Sequence, residues 1–93
     1  MKPFSDLWQR SNEVGVQFVM TELELAASFL DVAAYSSASH HRNQSIDNAS
    51  RAYASVQHFL PRLHFTDSQA ASIQAKVNQI RRRLESSQVD LQG

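Results

Sequence analysis

Ninety-three residues with nine basic and nine acidic side chains make at most one domain, and zero net charge gives no global field drawing it to nucleic acid or an anionic membrane. The absence of cysteine excludes disulfides, thiolate metal sites and cysteine nucleophiles. Charged residues supply 19% of the chain, below the usual proportion of about a quarter, so charge offers little protection against self-association.

Two glycines and two prolines in the whole chain, among abundant Ala, Leu, Gln, Glu and Arg, predict long helices joined by short loops. No alternating segment or hairpin turn pair predicts a strand. The first helix is expected over residues 6–36, with Ser5 or Asp6 capping its orphan amides. Gly15 costs about 1 kcal/mol against Ala in a helix interior, so a kink, or a firm helix only beyond it, is expected there. Phe4, Leu7 and Trp8 form an apolar cluster in the opening turns. A helix of roughly 30 residues reaches about 45 Å, longer than its partners. Those turns therefore overhang, and Trp8 either seats in a groove of its own chain or of another, as interface anchors do, or packs plainly in the core.

This helix carries two apolar faces. At about 100° per residue, Val16, Val19, Met20, Leu23, Ala26, Ala27, Leu30, Ala33 and Ala34 share one broad face. Val14, Phe18, Leu25, Phe29 and Val32 fall on a second stripe roughly opposite. Two shorter helices that also pack on each other cannot easily cover both. Either the third helix covers the second stripe, or the stripe is surface for a partner, the kind of apolar patch that marks an interface.

The stretch Ser36-Ser37-Ala38-Ser39-His40-His41 offers little to pack and reads as the connection to a second helix over residues 42–60. Ile46, Ala49, Tyr53, Val56, Leu60 and Leu63 recur at spacings of three and four, until Pro61 removes a backbone donor and stops the pattern. Tyr53 is expected largely buried between helices, its hydroxyl near an edge where it finds a partner. Asp47 and Arg51 stand four apart on the outer face in the favourable acid-first order. Thr66-Asp67-Ser68-Gln69 reads as a capping box, with Phe65 and Ala70 as a weak staple. The third helix, over residues 67–87, places Ala70, Ile73, Val77, Ile80 and Leu84 on one stripe, and residues 88–93 form a frayed polar tail.

Ala49, Tyr53 and Pro61 resemble the small-residue, aromatic and proline positions of the second helix of a tetratricopeptide repeat, with Val56 larger than the Ala usual there. The first half of that motif is not matched, and no 34-residue period is present. The chain also looks like short bacterial helical proteins of unknown function, and its general shape is similar to microtubule-interacting-and-trafficking domains. These resemblances imply a helical-repeat-like scaffold that binds peptides or itself, and they carry over no functional residue.

The chemistry-bearing residues give no motif. His40, His41, His58 and His64 lack metal-ligand spacing, although His58 and His64 flank the Pro61 turn. No serine lies in a nucleophile elbow, and no glycine loop can cradle a phosphate. Glu22 and Glu24 point about 200° apart on one helix, so they form no acid–base pair. Arg81, Arg82 and Arg83 fan around the third helix near its C-terminus, where cations complement the helix dipole and Glu85 lies in reach.

The sequence therefore predicts one all-α domain spanning residues 1–93, built of three antiparallel helices, without cofactor or metal. The expected function is a non-enzymatic protein–protein interaction module, self-associating through Val14, Phe18, Leu25, Phe29 and Val32, with Trp8 as a further anchor. A weak nucleic-acid binder using Arg81, Arg82 and Arg83 is the second reading, and an enzyme without a visible motif is the third. The first residues lack the basic-then-apolar order of a signal peptide and no apolar run is long enough to cross a bilayer, so the expected location is the cytoplasm, with a removed leader left open.

Overall fold

Helical spacing of the apolar residues resolves into α1 (Pro3–Tyr35), α2 (Ser39–Phe59) and α3 (Asp67–Gln92), with a single 3-10 turn (Leu60–Arg62) after α2. The computed structural model describes the backbone of residues 3–92 and the side chains of residues 9–87. Among the described residues there is no strand. α1 packs against both α2 and α3, and α2 and α3 pack on each other.

Two tertiary contacts fix the directions. Asn12 meets His64 just ahead of α3, and Asp31 meets Arg83 near its far end. Both pairs are separated by 52 positions, so α3 runs parallel to α1 in a constant register. The three-residue connection 36–38 reverses α2 against both. The result is an up-down-up bundle measuring 57 × 21 × 18 Å, a rod in which each helix buries one side only.

The core is one continuous seam. α1 contributes Val19, Leu23, Ala26, Leu30 and Ala33, at spacings alternating between four and three, and Val16 is buried one turn before them. Ile46, Ala49, Ala52 and Val56 of α2 and Ile73, Val77, Ile80 and Leu84 of α3 complete it. This heptad-like rhythm is the one that keeps apolar stripes facing each other along a helical bundle. Ala26, Ala33, Ala49 and Ala52 are all buried, and their small side chains let α1 and α2 approach closely. Ala52 was absent from the stripe read in the sequence. Tyr53, Leu60 and Leu63, which that stripe included, are half-buried around the core's edge. Met20 and Ala27 are also half-buried, and Ala34 is exposed.

Helix ends follow local chemistry, with shifts from the expected bounds. α1 begins at Pro3, ahead of the expected residue 6, because proline is tolerated in a first turn that needs no donor. It stops at Tyr35, where the Ser36 amide still reaches the Ala33 carbonyl at 3.4 Å and the Ser36 hydroxyl donates to the Ala38 carbonyl at 3.3 Å. α2 starts at Ser39, three residues earlier than expected. Extended Ala38 accepts the Arg42 amide at 3.0 Å, and nothing in Ser39-His40-His41 forbids helical geometry. The expected capping box is present. The Gln69 amide donates to Thr66 Oγ1 at 3.1 Å, and the Thr66 amide donates to Gln69 Oε1 at 3.0 Å. Of the expected staple pair, Phe65 packs on the core and Ala70 is exposed. α3 extends beyond the expected residue 87 to Gln92, over a stretch with no glycine or proline to interrupt it.

α1 starts well before Gly15 and runs through it without interruption. A methyl group added there would collide with Leu63 Cδ2, so the glycine makes room for the connection into α3 to lie against α1. Asn12 clamps that same connection. Its amide group donates to the His64 carbonyl at 2.8 Å and accepts the His64 amide at 2.7 Å, a paired bond that satisfies backbone groups outside any helix.

Candidate interaction surface

The second stripe of α1 lies on the side of the helix away from the core. Val14 is 69% exposed, Leu25 42% and Val32 54%. Tyr35, at the end of the helix, extends the same face and is 90% exposed. Phe18 is 40% exposed, and its ring makes an edge contact with Phe59 of α2, centroids 5.2 Å apart. These five are the large exposed apolar side chains of the molecule among the described residues, and all five stand on α1.

Phe29 differs from the rest of its stripe. It is half-buried against the core cluster and shares a shallow groove with Glu22 and Leu25 of α1 and Asn48, Arg51 and Ser55 of α2. α2 therefore leans over one margin of the stripe and leaves the remainder open. Tyr35 was outside the sequence-derived set; its place on the face follows from continuing the same helical spacing past Val32. The expectation for Trp8, with Phe4 and Leu7, concerns side chains outside the described residues.

Charge is sparse along this face. Asp47 and Arg51 form the expected pair on α2 at 3.1 Å, with both side chains mostly exposed, where such a bridge contributes little. Asp31 is drawn toward α3 by Arg83 at 2.8 Å, away from the open stripe. That tertiary bridge was not legible in the sequence, where Arg83 read as a local partner for the helix dipole.

The arginine cluster is dispersed. Arg81 donates to Asn78 Oδ1 at 3.1 Å, and Arg83 is held by Asp31. Arg82 lines a cleft of about 420 Å³ at one end of the bundle, together with Arg83 and with Arg42 from the start of α2. Leu30 and Ile46 also line it. The histidines do not converge on a metal site: His40 and His41 stand edge to face with ring centroids 5.8 Å apart, and His58 packs edge-on against Phe59 at 5.1 Å. Among the described residues no three metal-ligating side chains cluster. No helix of the described residues is long and apolar enough to cross a membrane.

No protein-family description, curated protein or solved structure matches this chain.

Proposed function

We propose that this chain is a non-enzymatic protein–protein interaction module that associates with a second copy of itself through the outer face of α1. One observation carries this reading: Val14, Phe18, Leu25, Val32 and Tyr35 are all exposed and all lie along one side of one helix. Apolar side chains scattered singly over a surface need no explanation, whereas a contiguous strip of them marks an interface. A second copy is a sufficient cover, because one surface can meet itself about a two-fold axis.

Light scattering across a concentration series tests the reading. The parent protein should dimerise, and Val14→Glu with Leu25→Glu and Val32→Glu should give a monomer with unchanged helical circular dichroism. All three positions are exposed, Val14 and Val32 by more than half, so their charge opposes pairing far more than folding. A parent that stays monomeric at high concentration would sink the proposal.

A second reading, weak nucleic-acid binding, draws support from Arg42 joining Arg82 and Arg83 in one cleft. Salt separates the two. Phosphate binding weakens steeply as salt rises, whereas apolar pairing beside exposed carboxylates holds or tightens.

A further inference from the structure

Val14, Phe18, Leu25, Val32 and Tyr35 share more than a face: their spacings of four, seven, seven and three place all five in a single heptad register. The same register passes through Ser11, Thr21 and Ser28, which are small and exposed. The seam thus reads Ser11, Val14, Phe18, Thr21, Leu25, Ser28, Val32, Tyr35, with its two central small positions alternating with the bulky ones. A seam with this strict repeat drifts around a straight helix by about 20° per heptad, the drift that lets two helices wrap around each other.

Resting on the self-association reading above, we propose that two copies pair antiparallel along α1, about a two-fold axis passing level with residue 23. In that register position i of one copy faces position 46 − i of the other. Phe18 then meets Ser28 of the second copy, Leu25 meets Thr21, and Tyr35 meets Ser11. Val14 meets Val32. Each large side chain outside the valine layers enters the space above a small one, the knobs-and-gaps match that a packed seam needs. A parallel pair would set Phe18 on Phe18 and Ser28 on Ser28, crowding one layer and leaving a void in another.

The available area sets the strength of the pair. Val14 to Tyr35 spans about 32 Å at about 1.5 Å per residue. A strip of that length and one helix (about 10–12 Å) wide has a footprint of about 350 Å² per copy, small beside the roughly 800 Å² per partner of a standard interface. The dimer is accordingly a reversible one. Electrostatics oppose it mildly, since Glu22 and Glu24 of both copies flank the axis. Glu24 is exposed, and solvent and salt screen the repulsion.

Because the native chain has no cysteine, introduced thiols report the register cleanly. Val14→Cys and Val32→Cys chains, one of them isotope-labelled, are mixed, oxidised mildly and analysed by mass, alongside light scattering of the parent and circular dichroism of the variants. The expected product is the mixed disulfide dimer, joining position 14 of one variant to position 32 of the other, with little cross-linking of either variant alone. If the parent dimerises but each variant cross-links to itself, the pair is parallel; the antiparallel register is then wrong while self-association stands. A dimeric parent with no cross-link would also overturn the register, by placing the contact elsewhere. A parent that is monomeric throughout overturns both the register and the reading on which it rests.

Discussion

Val14 and Val16, and Leu23 and Leu25, are two pairs of identical side chains two positions apart on α1, and the bundle divides each pair. Val16 is 5% exposed and Leu23 1%, whereas Val14 is 69% exposed and Leu25 42%. Two residues turn a helix by about 200°, so each pair samples the inner and outer faces with the same chemistry. Helix propensity cannot tell the members apart. The inner face is defined by what α2 and α3 bring to it, and the outer face by what they leave uncovered. One helix therefore carries the core of the fold and an apolar face left open to solvent, and the two should respond differently to the same substitution.

The largest contrast should come from truncation. Leu23→Ala should destabilise the monomer by about 3 kcal/mol, within the range for a buried leucine that leaves a cavity. Leu25→Ala should cost below about 1 kcal/mol, because much of that side chain is already in water. Denaturant unfolding at low protein concentration measures both, and similar losses would mean that the outer face is core.

Enlargement sharpens the comparison from the other side. Ala26 is fully buried where α1 and α2 lie close, so Ala26→Leu should cost about 2 kcal/mol through overpacking. Ser28→Leu, on the exposed face, should leave unfolding of the monomer within about 0.5 kcal/mol of the parent. A strongly destabilised Ser28→Leu would place a neighbour over that face.

Smaller effects probe how the connection before α3 is tied to α1. Asn12→Ala removes two hydrogen bonds to His64, and water can replace both at this exposed site, so a loss of about 1 kcal/mol is expected. Amide hydrogen exchange at residue 64 should rise with it; unchanged exchange would show that Asn12 does not hold the connection. Gly15→Ala should have the smallest net effect, since a gain of about 1 kcal/mol in helix propensity opposes the collision with Leu63. In a Leu63→Ala background the opposition disappears, and Gly15→Ala should then stabilise by about 1 kcal/mol. Equal effects in the two backgrounds would show that Leu63 does not press on Gly15.

Much of the architecture was legible because it is local. Spacings of three and four marked Ile46, Ala49 and Val56 as core before any neighbour was known, Pro61 ended the second stripe, and Thr66 with Gln69 announced α3 through a motif contained in four residues. Both apolar stripes of α1 were visible for the same reason. Contacts that join distant segments left no such signal. Nothing beside Asn12 in the chain points to His64, and Asp31 gives no hint of Arg83, because each partner lies 52 positions away. Gly15 read as a weak point when only helix propensity was weighed, yet its missing side chain is what admits Leu63.

By itself the sequence determined that the chain is all helix, where its helices change direction, and that α1 has two apolar sides, since helix propensity, capping and periodicity act within a few residues. Only the tertiary structure decided which of those sides becomes core. α2 and α3 both settle on the Val16–Val19–Leu23 side, where Ala26 and Ala33 permit close approach. The alternation of Phe18, Thr21, Leu25 and Ser28 faces water only because of that choice.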